Sequence, residues 1–173
     1  MKTRQKHGGG GAPVPRAPWN EIRPRLWMGG HFWADPAGRV RAAVVDAEFD
    51  VVVSLFTREG HGPRPGVDHL VNEIPDGPLT APQIGSVQKL ATTVAEAVRG
   101  GRSVLVRCRL GYNRSGLVVA QALVELGEDA GTAVELVRRG RSPWALHNRD
   151  FEEYLTTGVD IARLLVGLDP AGS

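Results

Sequence analysis

The stretch from Ser103 to Leu126 constrains the fold of this chain more than any other. Ser103-Val-Leu-Val-Arg107 is a short run rich in β-branched residues, the composition of a buried strand. After a turn holding Cys108 and Gly111 comes Leu117 to Leu126, apolar nearly all round. That segment reads as a central buried helix stopped by Gly127. A helix with almost no polar face must be covered by other elements, so the rest of the chain has to supply a sheet and further helices.

It does so in alternation. Ile22 to Met28 reads as a short strand pair ended by Gly29-Gly30, and residues 38–47 suit a helix through Val40, Ala43 and Val44. Asp50 to Phe56 is a buried strand bounded by charges. His69 to Ile74 is another, closed by the loop Pro75-Asp76-Gly77-Pro78. Ile84, Val87, Leu90, Ala91, Val94 and Val98 recur at helical spacing until Gly100-Gly101. Residues 129–139 predict a helix with Asp129 as its cap, and Asn148 caps a last one carrying Phe151, Tyr154 and Leu155. The expectation is an α/β fold with a central, mostly parallel sheet of about five strands and helices on both faces.

A length of 173 residues suits one domain of roughly 100–150 residues plus a tail. The opening MKTRQKHGGGGAPVPRAP has four consecutive glycines and hardly any apolar bulk, so residues 1–18 are expected to be a disordered basic tail. The domain is expected over 19–165, with 166–173 a flexible C-terminus. With 42% hydrophobic and 23% charged residues, wholesale disorder is excluded. No apolar run approaches the roughly 18 residues of a membrane span, and residues 1–20 lack a secretory apolar stretch. A single Cys108 excludes an internal disulfide and a cysteine zinc site. A cytoplasmic location is expected.

The formal charge of +2 divides unevenly. Lys2, Arg4, Lys6 and Arg16 give residues 1–20 a charge of +4, so the remainder carries −2 and no nucleic acid partner is expected. Within that acidic body, no acid lies between Glu96 and Glu125, whereas Arg99, Arg102, Arg107, Arg109 and Arg114 all do. Arg138, Arg139, Arg141 and Arg149 repeat the pattern between Glu135 and Asp150.

The first cluster surrounds Val106-Arg107-Cys108-Arg109-Leu110-Gly111-Tyr112-Asn113-Arg114-Ser115-Gly116. A turn from a strand into a helix aims backbone N–H groups and the helix N-terminus at one point, which makes an anion site. A cysteine at its base is favoured as a nucleophilic thiolate. Arg114 supplies a planar fork suited to two phosphate oxygens. A lone cysteine is ordinarily a core thiol; Arg107, Arg109 and Arg114 so close to Cys108 fit that reading poorly.

These residues resemble the cysteine-based protein phosphatases of the dual-specificity type, whose loop reads His-Cys-x5-Arg-Ser/Thr between the last strand and a central helix. The resemblance spans roughly residues 19–157, including Leu26-Trp27-Met28-Gly29-Gly30, Asp50 to Leu55, and Arg141, Asn148, Phe151 and Leu155. It implies a protein tyrosine phosphatase-like fold and a metal-independent phosphomonoesterase with no cofactor. Cys108 is the implied nucleophile, and Arg114 with the loop Arg109, Leu110, Gly111, Tyr112 and Asn113 the phosphate cradle. Asp76, 32 residues before the cysteine, is the implied general acid, and Ser115 assists the departing thiolate. A phosphoprotein or phosphopeptide is the implied substrate, with a pocket shallow enough for phosphoserine and phosphothreonine as well as phosphotyrosine.

Two features depart from that pattern. Arg107 stands where the family usually has His, and a buried Arg107 would need partners. Gly111 to Gly116 also resembles the loop of RNA 5′-triphosphatases, which usually lack the aspartate; Asp76 favours the protein phosphatase side. A phosphoinositide or RNA 5′-phosphate phosphatase, encouraged by Arg109, and a phosphate-binding pseudophosphatase are the alternatives. The five histidines suggest no metal site and read as surface or packing residues.

Overall fold

A computed structural model describes residues 11–158. Its centre is a five-stranded sheet in the order β1-β2-β7-β5-β6. The strands are β1 (Trp19–Arg23), β2 (Leu26–Gly29), β5 (Val51–Ser54), β6 (Asp68–Val71) and β7 (Val104–Arg107). β2, β7, β5 and β6 run parallel and only β1 is antiparallel, paired to β2 through a tight reversal in which Arg25 has a positive φ. The expected mostly parallel sheet of about five strands is what forms.

Alternation along the central strands separates two cores. Leu26, Met28, Val51, Val53, Val104 and Val106 face the large one, which is filled by helices. These are α1 (Ala81–Arg99), α2 (Arg114–Glu125), α3 (Ala130–Gly140) and α4 (Arg149–Glu153), the last running into a π-helical turn over Tyr154–Gly158. α1 starts at a capping box between Thr80 and Gln83, α3 at Asp129 and α4 at Asn148, as the sequence predicts for the last two. All residues of α2 from Ser115 to Leu123 are buried, the expected central helix.

The opposite face holds a smaller cluster of Val45, Phe49, Val52 and Leu105 with Trp19, Trp27 and Val67 against it. Here the helix expected over 38–47 is absent. Phe32–Ala34 (β3) and Val40–Ala42 (β4) form a separate antiparallel hairpin instead. Asp35 accepts from the N–H groups of Ala37 and Arg39, and Gly38 takes a positive φ, so the chain turns where a helix would have continued. Beyond it Ala43 and Val45 are buried while Val44 is exposed, the period of extended chain. This face is therefore covered by extended segments and aromatic rings rather than by a helix.

Residues 11–18 also differ from the expected tail. Ala12 and Pro15 are buried, and four carbonyls of the segment accept hydrogen bonds from the body. Pro15 accepts from Ala34 N–H, Pro18 from Gly30 N–H, Pro13 from the Tyr112 hydroxyl and Ala17 from Arg141. Its order comes from carbonyl acceptors rather than apolar bulk, and composition does not report those. The tail expected over residues 1–10 and the chain expected over 159–173 lie outside the described residues. Among the described residues no helix is long and apolar enough to cross a membrane.

Because α2 is enclosed on every side, Leu123→Ala should lower stability by about 2–5 kcal/mol through the cavity it leaves. Chemical denaturation at neutral pH reads this directly. A loss below about 1 kcal/mol would mean that α2 is not the packed centre.

Candidate active site

Chain reversal at the carboxyl ends of β7, β5, β6 and β2 puts four loops together, the usual place for a ligand in an open parallel sheet. β7 runs into Cys108, whose side chain is buried in the large core with its Sγ 3.3 Å from Ser115 Oγ. From there the chain turns over residues 109–113 into α2. The N–H groups of 109–113 donate to no acceptor among the described residues. Asn113, at the N-cap of α2, makes no side-chain cap either, so the first turn of the helix keeps its free donors. Unpaired N–H groups beside a helix N-terminus have the chemistry of an anion cradle.

Gly111 makes the turn possible. Its φ is +79°, and a Cβ there would lie 2.5 Å from the Gly29 carbonyl oxygen. Gly30 meets the loop from the other side, where a Cβ would sit 2.6 Å from Leu110 C. Two backbones thus pass in contact, and neither position admits a side chain.

Arg114 lies on the first turn of α2, with Nη1 3.3 Å from the Ile74 carbonyl and its guanidinium over the Phe56 ring. Its Nε is buried and has no partner among the described residues, an orphaned donor beside the turn. Asp76 reaches the same place from the loop after β6. Its Oδ2 accepts from Asn113 Nδ2 at 3.1 Å and its Oδ1 from Asn148 Nδ2 at 2.8 Å. Asn113 further accepts from Asn148 N–H at 2.9 Å, which ties the α4 entry to the loop. Asp76, Cys108, Arg109, Leu110, Tyr112, Asn113, Arg114 and His147 line one depression. Of the site residues singled out from the sequence, Asp76, Cys108, Arg109, Leu110, Tyr112, Asn113 and Arg114 line it, while Gly111 packs against Gly29 and buried Ser115 touches Cys108. His147 was not singled out. Its Nδ1 donates to Trp144 O at 2.7 Å, which leaves Nε2 as an acceptor 3.4 Å from Asn113 Nδ2.

Sequence reasoning also gave Arg141 no role in the loop. It is buried, and its guanidinium donates to Gly111 O (3.1 Å), Leu110 O (2.9 Å), Ala17 O and Asn20 Oδ1 (both 2.8 Å). Burial lowers its pKa to about 10, so it remains charged at neutral pH. By accepting nothing and donating to the loop's carbonyls, it turns the N–H sides of those peptides toward the depression. Tyr112, its hydroxyl pushed up by burial, fastens the loop to Pro13 O. The position of Arg141 in an acid-free stretch and among the residues of the family resemblance hinted at this.

Arg107 does not act beside the thiolate. Strand alternation sends it to the opposite face from Cys108, where it is fully buried and donates to Ser54 Oγ (3.0 Å), His61 O (2.9 Å) and Gly62 O (2.6 Å). The partners it needs are neutral oxygens, and burial lowers its pKa to about 10. Three histidines surround it. His31 Nε2 donates to Phe56 O (2.8 Å), so its Nδ1 accepts from His61 Nδ1 (3.0 Å), and His69 Nε2 accepts from Ser54 Oγ (2.8 Å). Burial, then the Arg107 cation, pushes His31 down to about 3; the same causes lower His61 and His69. Packing is thus the role of His31 and His61, and no group of three or more metal-binding side chains occurs among the described residues.

No protein-family model matches the chain, and no curated protein matches it in sequence. Solved structures do. Human DUSP28 superposes with a TM-score of 0.68 at 24% identity, covering 88% of this chain and 99% of its own. A mouse putative dual specificity phosphatase, crystallised with zinc tungstate, gives 0.63 at 24% identity over 94% and 97%. Kinase associated phosphatase, with its catalytic-site cysteine changed to serine, gives 0.61 at 15% identity over 87% and 97%. The fold is thus shared with cysteine-based dual-specificity phosphatases, as the sequence resemblance implies.

The histidine cluster sets an acid limit on stability. An unfolded histidine gains its proton near pH 6.5, whereas folded His31 resists until about 3. The unfolded chain binds more protons in that interval, so stability is complete above pH 6.5 and falls below it. His31 alone should remove about 2 kcal/mol between pH 6.5 and pH 5; a denaturation midpoint unchanged from pH 7.5 to 5 would contradict this. Arg107→Met should cost about 2 kcal/mol at pH 7 by orphaning the His61 and Gly62 carbonyls. The same variant should lose stability less steeply in acid, since the cation that holds the histidines neutral is gone. An unchanged acid slope would separate Arg107 from the histidines.

Proposed function

We propose that the chain is a metal-independent, cysteine-dependent phosphomonoesterase of the dual-specificity family, acting on phosphotyrosine and phosphoserine or phosphothreonine in proteins. One observation carries this reading: Cys108, Arg114 with its orphaned Nε, and the doubly hydrogen-bonded Asp76 line one depression. The fold shared with dual-specificity phosphatases supports it.

The proposed reaction has two displacements. The Cys108 thiolate attacks phosphorus in line with the ester oxygen, an S–P bond forms and the P–O bond breaks. Arg114 and the N–H groups of 109–114 hold the three equatorial oxygens, where charge is spread in the transition state. Protonated Asp76 gives its proton to the departing alkoxide or phenoxide. As a carboxylate it then takes a proton from water, the resulting hydroxide attacks phosphorus, and the S–P bond breaks to release inorganic phosphate. Ser115, 3.3 Å from Sγ, donates to the thiolate as it leaves. Asn113 and Asn148 set the aim of Asp76 because each bonds a different carboxylate oxygen. Arg107, the residue behind the non-catalytic alternative, bonds Ser54, His61 and Gly62 rather than the loop around Cys108, which supports the catalytic reading.

Hydrolysis of p-nitrophenyl phosphate should vanish in Cys108→Ser; equal turnover in the two forms would defeat the reading. Asp76→Asn should slow phosphoserine peptides by about 100-fold while sparing p-nitrophenyl phosphate, whose leaving group needs little protonation. A uniform loss on both substrates would remove Asp76 as the acid.

A further inference from the structure

Beside the depression, two arginines converge on one phenyl ring. The Arg58 guanidinium lies 5.2 Å from the Phe32 ring centroid and the Arg109 guanidinium 5.6 Å from it, both within cation–π range. They come from separate loops, after β5 and β7, while Phe32 opens β3. Their backbones are tied to a common base. His31 N–H donates to Arg109 O at 2.8 Å, His61 N–H to Arg58 O at 3.2 Å, and the two imidazoles are hydrogen-bonded to each other. The Phe32 ring meets His61 edge-on at 5.5 Å. Two like charges are therefore gathered over a rigid core, not left on wandering surface chains.

Neither cation is neutralised. Among the described residues the ion pairs involve Arg39, Arg41, Arg64, Arg102 and Arg138, and no carboxylate pairs with Arg58 or Arg109. Glu59 stands beside Arg58 in sequence and pairs with neither, and Asp76 is engaged by Asn113 and Asn148. Arg109 lines the depression next to Cys108. Two held, unpaired guanidinium forks at the rim of a phosphate cradle have the chemistry of a site for a second anion. Their position on a ring lowers the ordering cost of binding it.

We propose that Arg58 and Arg109, held on Phe32, form a second anion subsite, and that the preferred substrates are phosphopeptides with a carboxylate or second phosphate next to the phosphorylated residue. This rests on the phosphatase reading above. A peptide is favoured over an anionic bilayer or RNA because the patch offers two cations rather than a broad basic field, and residues outside the N-terminal twenty carry a net −2.

The test compares three phosphotyrosine peptides identical except for a flanking alanine, aspartate or phosphoserine. In wild type kcat/KM should be about 3- to 10-fold higher with the acidic flanks, a lead that shrinks as NaCl rises from 50 to 300 mM. Arg58→Gln should bring the ratio close to one while hydrolysis of p-nitrophenyl phosphate is unchanged. No lead in wild type, or the same lead in Arg58→Gln, overturns the subsite. Faster hydrolysis of dioctanoyl phosphatidylinositol bisphosphate than of every peptide overturns the peptide assignment. Failure of the phosphatase reading would show separately, as absent turnover of p-nitrophenyl phosphate. Fluorescence anisotropy of the labelled aspartate and alanine peptides on wild type and Arg58→Gln then reads the subsite alone, with equal affinities overturning it.

Discussion

Arg141 commits its guanidinium to four acceptors, and the turn between Cys108 and Arg114 depends on that. Gly111 O, Leu110 O, Ala17 O and Asn20 Oδ1 all take hydrogen bonds from it. Carbonyls pulled down toward a buried cation leave N–H groups facing up, so one side chain sets the polarity of the whole turn. Removing it would leave a loop of unpaired carbonyls against Gly29 and Gly30, where no side chain fits. Cradle, N-terminal segment and end of α3 are in this sense one unit, held by charge-assisted hydrogen bonds rather than by apolar contact.

Arg107 gives the complementary lesson. It is one residue from Cys108 in sequence and on the other side of the sheet in space. Its charge is met by oxygens of Ser54, His61 and Gly62 and by three imidazoles kept neutral around it. A buried cation without a carboxylate is tolerable here because all of its close partners present lone pairs. The arrangement orders the loop after β5 and supplies the base under Phe32, far more than it tunes Cys108.

How much of this was legible follows from the range of each signal. β5, β7, α1, α2 and the caps at Asp129 and Asn148 are local patterns, and they stand where periodicity and cap chemistry put them. Cys108, Arg114 and Ser115 sit within eight residues, so a motif captures them. Asp76 was reached through the family resemblance, by its distance from Cys108; its two asparagine partners were not, because they lie 37 and 72 residues away. Arg141, and the carbonyls of residues 11–18, act through contacts with no sequence period at all. The 38–47 segment misled because Val40, Ala43 and Val44 also fit a helix, and only Asp35 and Gly38 reveal the turn. Strict alternation along β7 could have placed Arg107 opposite Cys108 without any structure.

The segment 11–18 carries one consequence of its own. By composition it is the part of the chain a protein chemist would trim first. Trimming it would strip acceptors from Gly30 N–H, Ala34 N–H, the Tyr112 hydroxyl and one arm of Arg141. Three of those four donors adjoin or belong to the turn around Cys108. A shortened chain would keep its sheet and helices and still be a different protein at the one loop that matters.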